Sequence, residues 1–289
     1  MGLGRICRLF GITRQAYYKH LKAIEKILME DHIVCQMVLN IKKEHPRMGT
    51  RKIYHLIKSD LEKSKIKMGR DALFDLVSEN NLQVIKRKRK HVTTNSNHVF
   101  KRYPNLIRDI DPEGPNQIWV SDITYIKTLQ QEFLYLFLIT DAYSKKVLGY
   151  RLAKTLDSLH AVNSLQDAIE NTSQPVSGLI HHSDRGIQYC SKEYISMLKE
   201  NNIVISMTEN GDPLENPIAE RVNGILKEEY LSQYPALTSL QLEKSIKKYN
   251  NIRPHLSCDM LTPEVAHLTS GRLKKRWKNY YKKTINLEV

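Results

Sequence analysis

The chain has 289 residues, a mean hydropathy of −0.47, four cysteines and a formal net charge of +14. That length accommodates one sizeable core plus at least one smaller domain, and no apolar run approaches the roughly 20 residues of a membrane span or resembles a leader, so a cytoplasmic, nucleoid-associated protein with no membrane partner is expected. Cys7, Cys35, Cys190 and Cys258 are far apart and form no C-x-x-C pair, which argues against a disulfide framework and against a cysteine zinc site.

The charge is segregated. Residues 1–110 hold 24 Lys and Arg against 10 Asp and Glu, residues 272–283 hold seven cations and no anion, and residues 111–264 hold 14 basic against 20 acidic groups. A cationic front and tail suit a polyanion, and an acidic centre implies a separate need for carboxylates.

From the start of the chain, "RICRLFGITRQAYYKHLKAI" reads as two short helices around a turn, with Gly11 suited to positive φ and Thr13 placed as the cap of the second helix. In a helix-turn-helix the first turn of that second helix reaches a groove, which makes Arg14 and Gln15 candidate DNA contacts; an ordinary helical hairpin fits the pattern as well. A second unit follows, with helices over His32–Glu44, Arg51–Leu61 and Met68–Asn80, and then "LQVIKRKRKHV". Three helices leading into a basic ribbon describe a winged helix, in which Arg51, Lys52, Lys86, Arg87, Lys88, Arg89 and Lys90 are candidate phosphate contacts. The expected domains are a helix-turn-helix segment over 1–30, a winged-helix unit over 31–92 and a Pro-containing linker over 93–116. A larger core domain over 117–265 and a basic tail over 266–289 complete the chain.

The core starts with "QIWVSDITYI", "EFLYLFLITDAYS" and "KVLGYRLAKT", three strands at the spacing of an antiparallel meander. A helix over Ser158–Asn171 follows, with Leu159, Val162, Leu165 and Ile169 as its apolar face. Then come the strand "SGLIHHSD", the helix "SKEYISMLKENN" and the strand "IVISM". The order mixes hairpins with crossover helices, as in a layered α/β sheet.

Two acids stand out. Asp122 lies inside an apolar strand, where a carboxylate is costly to bury, and Asp184 ends a strand before a sharp turn. Each alone has an ordinary structural explanation; together, at adjacent strand ends and without cysteine, they suit Mg²⁺ or Mn²⁺. Further candidate acids lie in "ENGDPLENPIAERVNG". A helix capped by Asn216 and opened by Pro217 turns Ile218, Val222, Ile225 and Leu226 to the core, which leaves Glu220 nearly opposite and directs Glu229 toward the core. Glu215 is its rival.

The blocks "WVSDITYI", "HHSDRGIQY", "SMTENGDPLENPIAERVNGILKEEYL" and "YNNIRPHLSCDMLTPEVA", in this order, resemble the integrase core of bacterial insertion-sequence transposases of the IS-three family. "LFGITRQAYYKH" and "HPRMGTRKI" resemble the front of that family's second reading frame. The resemblance implies a ribonuclease-H-like mixed sheet with flanking helices behind small all-α DNA-binding units. It implies Asp122, Asp184 and Glu220 as catalytic ligands of two divalent ions, and cleavage of double-stranded DNA at the terminal inverted repeats followed by 3′-hydroxyl attack on a target. Lys227, two turns past Glu220, is placed to hold a phosphate, and Arg253 in "YNNIRPH" is a further candidate DNA contact. A homo-oligomer on DNA is expected, with an upstream-frame helix-turn-helix protein as partner or fusion. The alternative is a DNA-binding accessory or regulator of transposition, incomplete without that fusion. The chain departs from the family in having Glu215-Asn216-Pro217 where Asp-Asn-Ala is usual.

Overall fold

The protein is represented by a computed structural model, which describes residues 2–84, 103–108, 110–128, 133–209, 215–232 and 234–276. Two compact units divide the chain, one over 1–88 and one over 89–289. Lys86, Arg87, Lys88, Arg89 and Lys90, and with them the expected basic ribbon, lie outside the described residues.

In the first unit, α1 (Leu3–Leu9) and α2 (Arg14–Glu44) are joined by a turn in which Gly11 has φ +67° and the Thr13 hydroxyl accepts from the Ala16 N–H at 3.0 Å. Both features agree with the sequence. The expected break near residue 30 is absent: α2 runs through it as one 31-residue helix. No Gly or Pro interrupts residues 14–44, so nothing local stops the helix once it is capped. Its C-terminal part, with Val34 and Val38, packs against α3 (Thr50–Lys63) and α4 (Arg70–Glu79), which contribute Ile53, Ile57, Leu61, Leu73 and Val77. Met48, from the turn between α2 and α3, is fully buried at the centre.

The second unit is built on a five-stranded sheet: β1 (Ile118–Lys127), β2 (Phe133–Asp141), β3 (Val147–Ala153), β4 (Ile180–Ser183) and β5 (Val204–Met207), in the order β3-β2-β1-β4-β5. The first three are antiparallel, while β4 and β5 run parallel to β1. Such parallel neighbours need crossovers. These are supplied by α5 (Ser158–Glu170) before β4 and by α6 (Ile187–Cys190) with α7 (Lys192–Glu200) before β5. The arrangement is ribonuclease-H-like.

One sheet face, with Trp119, Phe137 and Ile139, buries against α5 and α7. There Gly149 permits a close approach, since a Cβ on it would sit 2.0 Å from the Ser164 carbonyl oxygen and 2.9 Å from the Ala168 Cβ. The buried side of α5 is therefore Ala161, Leu165 and Ala168, and Leu159, expected on it, is exposed. The other face, with Leu136 and Leu138, meets α8 (Pro217–Ile225), a π-helical turn (Leu226–Leu231) and α9 (Ser239–Ile252). The short α10 (Pro263–His267) follows, after which Gly271 and Arg276 hydrogen-bond to the backbone of Glu113 and Leu256, so the described start of the basic tail is docked on the body.

Candidate active site

The parallel pairing of β1 with β4 brings two acids together. Its register sets Val120 opposite His182; Asp122 lies two residues further along β1, and Asp184, two beyond His182, is the first residue past the end of β4. Asp122 is half-buried on the face covered by α8. It accepts the Ile123 N–H at 2.9 Å through one oxygen and the Asn223 side-chain N–H at 2.7 Å through the other. Burial, followed by the nearby Asp184 carboxylate, raises its pKa to about 7 in spite of those bonds, and Glu220 adds a smaller push the same way. Asp184 accepts the Gly186 N–H at 2.9 Å, closing the turn that leaves β4.

Glu220 stands on α8 with its side chain exposed, while Val222, Ile225 and Leu226 are buried to within 3%. Each of those buried side chains contributes roughly 1.5–3 kcal/mol to holding the helix in this rotation. Asn223, one turn on, is 4% exposed, and its side-chain oxygen has no hydrogen-bond partner among the described residues. The sequence does not single out the contact from Asn223 to Asp122; the available signal is its place one turn from Glu220 on the same helix. Asn216, expected as the cap of α8, makes no side-chain cap bond. Its amide instead donates to the Ser121 carbonyl at 2.8 Å, fastening the start of α8 to the strand that carries Asp122. Among the described residues, no three His, Cys, Asp or Glu side chains stand in an arrangement that would hold a metal ion.

Beneath the acids, Ser121 and Tyr194 both meet His181 Nε2, at 2.6 and 2.9 Å. Burial, reinforced by His182, lowers the pKa of His181 to about 3, so the ring is neutral and serves as a packing group near neutral pH.

The cationic candidates separate. Arg14, Gln15 and Arg51 are exposed and Lys52 is half-buried, all in the first unit. Lys227 lies in the π-helical turn, half-buried, with its ammonium 3.9 Å from the centre of the Tyr125 ring. Arg253 is not available to DNA. It is 1% exposed and forms a two-pronged pair with Glu229, at 2.7 Å on each arm. The helix phase that turns Glu229 inward leaves a carboxylate needing a buried cation, and Arg253 fills that need. Its neighbours are structural too: Asn250 bonds both N–H and C=O of Val147 at 3.0 Å, and the Tyr249 hydroxyl donates to the Lys145 carbonyl at 2.8 Å.

Comparison with known proteins gives consistent matches. Residues 112–213 match the profile of an integrase core domain, and residues 201–263 match a second integrase core domain profile. The chain is 34% identical over 235 residues to the 31 kDa protein of insertion element IS600 from Shigella sonnei, covering 79% of this chain and 83% of that one. It is 27% identical over 263 residues to the transposase of insertion sequence IS629 from the same organism, covering 87% and 86%. Transposase InsF of IS3A from Escherichia coli K12 is 32% identical over 164 residues, or 55% and 56% of the two chains. Among solved structures, the HTLV-2 integrase catalytic core domain in complex with magnesium covers 54% of this chain and 99% of its own at 22% identity, with a TM-score of 0.45.

Proposed function

The chain belongs to the family of bacterial insertion-sequence transposases with an integrase catalytic core and is a DNA transposase, and we propose that Asp122, Asp184 and Glu220 are its catalytic carboxylates, acting on the ends of its own element. The carrying observation is the Asp122–Asp184 pair: one carboxylate on β1 and one just past the end of the parallel β4, the first with its pKa raised to about 7 by burial and by the other nearby. Such a pair is destabilised until a cation neutralises it. An oxygen-only donor set favours a hard divalent ion, Mg²⁺ or Mn²⁺, over zinc or copper. Glu220, at the solvent edge of the same face, would complete the set on closing inward, and the side-chain oxygen of Asn223 is a further buried acceptor beside Asp122. When bound, two such ions supply charge neutralisation and an activated attacking oxygen.

The remaining work falls to the chain. In the first step water attacks phosphorus at the element's 3′ end and the P–O3′ bond breaks, freeing a 3′-hydroxyl. In the second that hydroxyl attacks a target phosphodiester, forming one P–O bond and expelling another 3′-hydroxyl. No protein nucleophile is needed. Lys227, held over Tyr125, would clasp a phosphate near the acids, and Arg14, Gln15, Arg51, Lys52 and the Lys86–Lys90 run would bind flanking duplex through its phosphates. Acting on two ends requires at least two protomers, with an upstream-frame helix-turn-helix protein supplying further end recognition as partner or fusion.

The test is end-labelled terminal-repeat DNA incubated with the protein, alone and fused to its upstream frame, in Mg²⁺. Site-specific 3′ cleavage and joining are expected, and Asp122→Asn, Asp184→Asn and Glu220→Gln each abolish both while DNA binding persists. Activity surviving in any of the three removes that residue from the set.

A further inference from the structure

The sheet does not end cleanly at β5. Residues 103–108, which lead into β1, run along this edge strand: the Met207 N–H donates to the Pro104 carbonyl at 3.3 Å and the Leu106 N–H donates to the Ser206 hydroxyl at 2.9 Å. Ser206 in turn holds His182 Nδ1 at 2.8 Å. From this docked segment Arg108 reaches Glu209 at 2.7 Å and Glu215 at 3.9 Å, the two carboxylates on either side of residues 210–214. The Glu209 N–H donates to the other oxygen of Glu215, whose side chain is only 12% exposed. Next in sequence, Asn216 is fastened to β1 through Ser121, and its carbonyl accepts the Glu220 N–H at 3.2 Å. An unbroken series of contacts therefore runs from the segment before β1, through Arg108 and Glu215, to the first turn of the helix that carries Glu220.

We propose that Arg108, Glu209 and Glu215 form a clamp that sets the entry of α8, and that Glu215 is a positioning residue for Glu220, with no role as a metal ligand. This rests on Glu220 being the third catalytic acid. Among the described contacts, the Glu215 carboxylate accepts a backbone N–H and faces a guanidinium, and both hold it toward β5 and the 103–108 segment. Arg108 is 59% exposed, and an exposed, solvent-screened ion pair of this kind adds little to stability. Its contribution is geometric, because a displacement of about 1 Å in a catalytic group costs up to about 100-fold in rate.

The experiment measures single-turnover strand transfer of precut terminal DNA by the full-length protein, fused if the fusion is required. The variants are Arg108→Ala, Arg108→Lys, Glu215→Gln, Glu220→Gln and the double Arg108→Ala/Glu215→Gln. Arg108→Ala and Glu215→Gln are expected to slow transfer about 10-fold and to raise the Mg²⁺ concentration for half-maximal rate, with DNA affinity and melting temperature held within error. Arg108→Lys should recover most of the rate. The double variant should be no slower than the slower single, because both changes release the same clamp. Rates within twofold of the parent for Arg108→Ala, or multiplicative losses in the double, overturn the clamp. If Glu215→Gln is as inactive as Glu220→Gln, Glu215 does chemistry and the clamp fails while Glu220 stands. If Glu220→Gln alone stays active, the assignment of the third acid fails instead.

Discussion

At the scale of single residues, the site is governed by what a buried charge requires. Asp122 has a folded pKa of about 7, above its value near 4 in an unfolded chain, so between those pH values the native state keeps a proton that the unfolded state has lost. Without divalent ions, raising the pH from about 4 to 7 should therefore lower stability, with no further loss from this group above 7. Asp122→Asn should raise the melting temperature of the metal-free protein at pH 8 and leave it nearly unchanged at pH 4. Thermal unfolding in chelator checks this, and the parent alone should gain further when Mg²⁺ is restored. Arg253 poses the opposite problem, a buried charge that is already paired. Arg253→Ala removes both guanidinium hydrogen bonds from the mostly buried Glu229 carboxylate and should cost about 3–5 kcal/mol in urea unfolding, while leaving DNA affinity intact below the transition.

At the scale of elements, periodicity locates most pieces, and packing decides which face each one buries. Helices α3, α4 and α7 and the strands β1 to β3 follow from apolar spacing and β-branched runs, and the outward placement of Glu220 follows from the burial of Val222, Ile225 and Leu226. The face of α5 does not, because Gly149 lies on another element and the space it leaves selects Ala161 and Ala168 over Leu159. Gly149→Ala should force β3 and α5 apart and lower stability by about 1–3 kcal/mol or more, read by urea denaturation. The π-helical turn at Leu226–Leu231 is a second tertiary effect. Five-residue spacing brings Leu226, Tyr230 and Leu231 all into the core, which a regular helix does less well.

At the scale of the whole molecule, charge and chemistry are divided between two units. The first is basic and helical; the second holds the acids on a mixed sheet. Binding of duplex DNA should weaken steeply with salt. Replacing Arg14, Arg51 and Lys52 together by Ala should reduce the slope of log affinity against log salt by about 0.9 for each phosphate that the variant leaves unneutralised, without changing cleavage position once DNA is bound. Titration of labelled duplex over a range of salt concentrations tests this.

Sequence by itself determined the layered α/β class, the order of the elements and the helix phase that turns Glu220 outward, because local periodicity, capping and turn chemistry act over a few residues; the choice of Asp122, Asp184 and Glu220 as candidate acids came from the resemblance to the family. Tertiary structure alone decided the rest. It gave Asn216 to β1 instead of to its own helix and turned Leu159 out of the core. It paired Arg253 with Glu229 across 24 residues, and it set Asn223 against Asp122 and joined Arg108 to Glu215 across more than a hundred. These are choices about which buried polar group satisfies which, and that depends on which distant elements the sheet brings side by side.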